Sequence, residues 1–381
     1  MNFAFEQGPI RPPSEAKSLL IRVTRNCSWN KCAFCHTYEG TKFQIRKVDD
    51  VKADVTKARE IADQIKDLSW KMGQEGRIND AVVTHIFNGG SMNDSFGSVA
   101  AWLYFGGESV FLQDGNSIIV KTDDLAEIIT FIKEQFPSVS RITSYCRSKT
   151  ACRKTVEEFK ILKEAGLSRI HVGLESGYDP VLEFIKKGVT ALEHVEGGQK
   201  IVESGISLSE YIIPGLGGAR WSREHAVATA EVLNQINPDY IRLRSLQVRR
   251  NTELYRLREE GAFTKLDDED VVREIRLFIE QLDGIQSRVV SDHILNLLEE
   301  LEGVLPEDKQ ALLGIIDSYF ALPEEERLIY RLGRRKGIYR RLDDLSNQRV
   351  HAALKAMIDD YKSRDLGQLD SDLYKIMHNY I

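Results

Sequence analysis

Short apolar runs alternate along this chain with longer stretches in which apolar residues return every three or four positions. Residues 18–24 read as a first strand, and 48–72 carry a helical spacing with interleaved charge. The same pairing recurs as a strand at 109–112 with a helix over 124–136, and as a strand at 141–145 with a helix over 155–165. A fourth strand at 169–174 precedes a helical pattern over 180–204 that breaks near Gly188. A fifth at 206–213 precedes a helix over 222–236, and a sixth strand falls at 240–246. Gly166 and Gly205 sit where helix C-terminal signals belong. Strand–helix units in series predict a parallel sheet, either doubly wound or curled into a barrel. In both forms the chemistry lies at the C-terminal ends of the strands.

Beyond residue 266 the pattern predicts helices only, over 269–282, 293–301, 306–319, 324–332, 349–361 and 369–381. The expected organisation is a domain at 1–266 and an all-helical extension at 267–381. Residues 73–107 are too many for an ordinary strand connection, and their Asn88-Gly89 turn and the polar residues up to Asn93 suggest a lid, a substrate loop or a surface insertion.

Composition narrows the partners. The 381 residues are 42% hydrophobic and 29% charged, with a net charge of -6, so no global basic field draws nucleic acid or anionic lipid. No apolar stretch approaches the length that crosses a bilayer, and the N-terminus lacks the order of a signal peptide; the expected location is the cytoplasm. With five cysteines, a disulfide framework is not expected.

Three of those cysteines, Cys27, Cys32 and Cys35, follow the first strand in a C-x4-C-x2-C loop. Three thiolates leave one iron of a four-iron, four-sulfur cluster without a protein ligand, whereas a structural zinc site takes a fourth Cys or His. Cys146 and Cys152 read as ordinary thiols. His36, beside the last cysteine, reads as a supporting residue and not as a ligand.

These residues resemble the radical SAM superfamily, whose enzymes bind a 4Fe-4S cluster through three clustered cysteines and S-adenosyl-L-methionine at the remaining iron. The usual spacing there has three residues between the first two cysteines; here there are four. Phe34 keeps the family's aromatic residue before the last ligand, which the resemblance sets against adenine. Asp114, Gly115 and Asn116 occupy the slot of the family's Gly-Gly-Glu motif, at the cofactor's amino group, in preference to the literal Gly106-Gly107-Glu108 upstream. The resemblance also gives cofactor-binding roles to Ser144, to Glu175 in a Gly-Leu-Glu-Ser-Gly sequence, and to Ile213 and Gly215 in the fifth strand's glycine motif. It implies an incomplete (β/α)6 TIM-like barrel. Within the superfamily the chain looks nearest to proteins loosely grouped with anaerobic coproporphyrinogen oxidase, although that enzyme's cysteine spacing and flanking residues are not reproduced.

The activity so implied is reductive cleavage of S-adenosyl-L-methionine to a 5′-deoxyadenosyl radical, fed by a low-potential electron donor of flavodoxin or ferredoxin type. The expected substrate is a small molecule, anionic or heterocyclic. Arg242 and Arg244 alternate on the sixth strand and share one face, inward as an anion clamp or outward as solvated charge. Arg147, Ser148 and Lys149 offer a second anion-binding set. Asp292 with His293 reads as an acid/base pair or, more plainly, as a cap and a packed ring. Two rivals stay open: a non-enzymatic iron–sulfur electron carrier, and an enzyme directed at RNA or a modified base, including a queuine-type lyase. The basic run 327–341 suits the latter if it is an RNA surface and not a solvated helix face.

Overall fold

A computed structural model describes residues 4–89, 93–364 and 366–378. Among the described residues the strands are β1 (Leu19–Arg22), β2 (Thr24–Arg25), β3 (Gln44–Ile45), β4 (Ser109–Gln113), β5 (Arg141–Cys146), β6 (Leu167–Glu175), β7 (Ser207–Ile212), β8 (Tyr240–Leu243), β9 (Arg288–Val290) and β10 (Glu302–Val304). The chain divides into two compact units. One comprises residues 1–30, 37–172 and 196–208, the other 31–36, 173–195 and 209–381.

In the first unit β1, β4, β5 and β6 pair in that order, all parallel. Leu19, Ile21, Val110 and Leu112 on one face are fully buried, as expected of strands covered by helices. The covering helices Val48–Lys71, Thr122–Gln135 and Val156–Ala165 pack side by side. Thr155 and Glu158 close a capping box at the last of them. The short ribbon β2–β3 is antiparallel and brackets the cysteine loop in sequence.

The described part of the long 73–107 segment carries two helices, Asp80–Asn88 and Asp94–Tyr104, each opened by an Asn side chain accepting from the backbone. Trp102 anchors the second, its indole donating to the Ser109 carbonyl at 2.9 Å and meeting Phe136 edge-on. Residues 90–92 of the expected turn lie outside the described residues.

In the second unit β7, β8 and β9 are parallel and β10 runs antiparallel to β9. The helix Gly218–Ile236 packs on Asp268–Gln281, which in turn packs on Lys309–Ala321. The expected all-helical extension therefore needs correcting, since β9 and β10 lie within it. The helix expected over 293–301 is also missing. There, backbone groups are satisfied by side chains in place of helical partners: Arg335 donates to the Leu295 carbonyl at 2.6 Å, and Tyr330 to that of Leu297 at 3.3 Å. The helices near 309, 324, 349 and 369 form close to where periodicity puts them; of the expected 369–381 helix, residues 379–381 lie outside the described residues. The mostly parallel strands and their helices make the chain a mixed α/β protein.

Candidate functional site

The first cysteine sits in a loop whose bends are set by two asparagines in left-handed conformation, Asn26 (φ 69°) and Asn30 (φ 51°). Each closes the loop with its own amide, Asn26 onto the Lys42 carbonyl at 2.8 Å and Asn30 onto the carbonyls of Tyr38 and Thr41. All five cysteines are free thiols; Cys27 and Cys32 are half-buried and Cys35 is exposed. Among the described residues no three His, Cys, Asp or Glu side chains converge tightly enough to hold a single metal ion. The donor set itself, three thiols within nine residues on an irregular and partly open loop, is chemically suited to a thiolate-ligated cluster.

Asp114 and Asn116 follow β4 and are fully buried. One Asp114 oxygen accepts from Arg22 Nη2 at 2.6 Å, Arg22 Nε at 3.0 Å and the Asn26 amide at 3.1 Å; the other accepts from the Tyr38 hydroxyl. Burial and the adjacent carboxylate push the Tyr38 phenol well above its usual range, so it stays a donor. Asn116 donates to Ser28 Oγ at 2.9 Å and Thr150 Oγ1 at 2.8 Å, and accepts from the Arg147 amide at 3.1 Å. Ser144, also buried, donates to the Leu112 carbonyl at 3.2 Å. Glu108 instead precedes β4, after a turn formed by Gly106 and Gly107. Arg147 lies over the Trp29 ring at 5.1 Å.

In the second unit, the Cys32–Cys35 turn is closed by the Cys35 amide on the Cys32 carbonyl at 3.1 Å. Between them Ala33 is tied to the Ile185 carbonyl and the Leu254 amide, each at 2.8 Å. Phe34 packs against the apolar cluster that contains Ile213, so these two predicted residues are brought together. His36 meets Arg249 at 2.5 Å. Glu175 has φ 66° and pairs with Lys187 at 3.0 Å. Near them Glu210 is wholly buried and its Oε2 has no hydrogen-bond partner among the described residues; burial, and then the Glu175 charge, raise its pKa well above the usual value.

Gly215 (φ 87°) gives its amide to Glu274 Oε1 at 2.6 Å. The other Glu274 oxygen accepts from Ser222 Oγ at 2.6 Å, and His225 lies 3.6 Å from the carboxylate. His225 Nδ1 meets Ser176 Oγ at 2.8 Å. A side chain at Gly177 would strike the backbone of Ala228, so that motif needs glycine there. Glu274, His225 and Ser176 thus join the two predicted glycine motifs, and sequence reading missed them. Arg22 and Tyr38 were missed likewise. The only available signal was polarity at buried helical positions, such as Glu274 among Val272, Ile275 and Phe278.

Arg242 is buried and bound to Asp292 at 2.6 Å and Ser209 at 3.2 Å. Arg244 stands 5.0 Å over the Tyr211 ring. Asp292 is thus engaged by an arginine. His293 is held neutral, its pKa pushed down to about 3 by burial and then by Arg244 and Arg334. In the basic run, Arg327 pairs with Glu269, Arg331 and Arg335 with Asp268, Arg334 with Glu299 and Arg341 with Glu300. Arg334 and Arg335 are nearly inaccessible and belong to an ion-pair network, whereas Lys336, Arg340 and Arg341 at the end of the run are exposed.

The chain matches no protein-family model. Over 120 residues it is 24% identical to the tRNA uridine(34) acetyltransferase of Methanocaldococcus jannaschii, an alignment covering 31% of this chain and 22% of that protein. It therefore spans less than a quarter of the length of the curated relatives it matches. Among solved structures it is similar to the radical S-adenosylmethionine methyltransferase TsrM of Kitasatospora setae, with cobalamin and a [4Fe-4S] cluster bound. That match has a TM-score of 0.43 and 15% identity, and covers 64% of this chain and 39% of the other. The chain is similar to radical S-adenosylmethionine enzymes. It is also similar to Methanocaldococcus infernus Elp3, at a TM-score of 0.41 and 14% identity, covering 56% and 55% of the two chains.

Proposed function

We propose that this chain is a radical S-adenosylmethionine enzyme built on an incomplete (β/α)6 barrel, with Cys27, Cys32 and Cys35 as the ligands of a 4Fe-4S cluster. The observation that carries the reading is the C-x4-C-x2-C loop, which follows the C-terminal end of the parallel strand β1. When bound, the cluster and S-adenosyl-L-methionine supply reductive cleavage to a 5′-deoxyadenosyl radical, with the electron from a flavodoxin- or ferredoxin-type donor. The protein's contribution is placement and exclusion of water. Phe34 and the cluster containing Ile213 provide an apolar wall suited to adenine. Glu175, held by Lys187, offers a carboxylate for the ribose or the amino group. Arg244 is the residue suited to a small anionic substrate: Arg242 is already neutralised by Asp292, whereas the Arg244 guanidinium lies over the Tyr211 ring.

Anaerobic reconstitution tests the assignment. The protein should take up about four irons per chain and, once reduced, release methionine and 5′-deoxyadenosine from S-adenosyl-L-methionine. Ala at any of the three cysteines should abolish both. Full turnover by one of those variants would sink the proposal.

A further inference from the structure

Three consecutive residues after β4 meet three consecutive residues of the cysteine loop. The Asp114 carboxylate takes the Asn26 amide at 3.1 Å. The Gly115 backbone lies against Cys27, so that a Cβ built there would be 3.6 Å from Cys27 Cβ and 3.7 Å from its Cα. The Asn116 amide donates to Ser28 Oγ at 2.9 Å. Each end is then braced from outside. Arg22 and Tyr38 each bind one Asp114 oxygen, Tyr38 coming from beyond the last cysteine. Thr150 and the Arg147 amide engage Asn116 from the end of β5. Asp114 is fully buried with four donors on its two oxygens, and Asn116 is fully buried with its oxygen and its amide nitrogen both engaged.

We infer that Asp114, Gly115 and Asn116 form a clasp that fixes Cys27, acting on the iron–sulfur centre through the loop, with neither side chain on S-adenosyl-L-methionine. They are positioning residues, and Tyr38 and Arg22 belong to the same device. The inference rests on the proposed function only for its purpose; the clasp itself is a property of the apo chain. A carboxylate already holding a guanidinium, a phenol and a backbone amide is committed to this loop, and breaking any of those bonds leaves a buried group unsatisfied.

Tyr38→Phe separates the two roles, because it removes one donor from Asp114 without altering any residue of the triplet. Two measurements on the full-length protein decide the matter, with Asp114→Asn and Asn116→Ala alongside and folding checked by circular dichroism. In the apo protein, iodoacetamide alkylation of Cys27 is followed by peptide mass, with Cys32 and Cys35 as internal references. In reconstituted protein, iron loss to a chelator is timed before any S-adenosyl-L-methionine is added. A clasp predicts that Tyr38→Phe and Asn116→Ala raise both the Cys27-specific rate and the iron-loss rate by about tenfold, the equivalent of one lost buried hydrogen bond. Wild-type rates in Tyr38→Phe, together with normal clusters but lost S-adenosyl-L-methionine binding in Asp114→Asn and Asn116→Ala, would overturn the clasp and make the triplet a direct ligand. If wild-type protein takes up no iron, the proposed function fails while the alkylation arm still decides the clasp.

Discussion

At the scale of single residues, polar side chains in this protein are mostly committed to one another, and their availability separates supports from recognition groups. Arg242 and Arg244 share a strand and a face, yet one is locked to Asp292 and the other lies over an aromatic ring. Arg244→Leu should therefore leave uncoupled cleavage of S-adenosyl-L-methionine nearly intact while removing hydrogen transfer from an anionic substrate, and Arg244→Lys should rescue poorly because an ammonium lacks the planar fork. Deuterium appearing in 5′-deoxyadenosine from labelled substrate reports this. Wild-type transfer in the Leu variant would take Arg244 out of recognition. The same comparison explains what was readable beforehand. Cysteine spacing is local and visible in the sequence, whereas the Asp114 contacts join residues about ninety positions apart, which no periodicity encodes.

At the scale of elements, alternating apolar runs located all six leading parallel strands, because burial on both faces writes itself as continuous hydrophobicity. The pattern failed at β9 and β10, three residues each, since so short a strand has no period to detect. It also failed at 293–301, where leucines at helical spacing pack into a turn-rich segment held by arginine and tyrosine side chains. One buried carboxylate links elements in the first unit. Glu15, in the short turn before β1, binds Arg141 of β5 at 2.6 Å and His171 of β6 at 3.3 Å. Burial would raise its pKa, but the His171 hydrogen bond and the Arg141 charge outweigh that and hold it at about 2, from an ordinary 4.5. A depressed folded-state value means stabilisation that is complete above the unfolded pKa and lost as pH falls from about 4.5 toward 2. The contribution is about 3 kcal/mol. Urea titrations at pH 6 and pH 3 should show a drop that is smaller in Glu15→Gln by about 2 kcal/mol, the part of the contribution already lost at pH 3; an identical drop in the variant would assign the acid sensitivity elsewhere.

At the scale of the whole molecule, charge argues against a large polyanion as partner. The chain carries a net charge of -6, and in the basic run that looked suited to RNA five arginines pair with Asp268, Glu269, Glu299 and Glu300, while Lys336 and Arg340 are exposed. Bulk tRNA should bind weakly at physiological salt, with a slope of log affinity against log salt corresponding to no more than about two released counterions. A slope several times steeper, measured by fluorescence anisotropy, would reinstate the RNA-directed alternative.

The bond from Glu274 to the Gly215 amide has a practical meaning for anyone wishing to shorten this protein. Cutting at residue 266, where the sequence suggests a seam, would remove a carboxylate that holds the glycine turn from 59 positions downstream, and would strip β9 from the open edge of β8. What looks like a detachable appendage is the far wall of the fold. A minimal version would have to supply a new acceptor for that amide and a new strand for that edge, so inserted or fused sequences belong after the helix Lys309–Ala321 and not before the helix Asp268–Gln281.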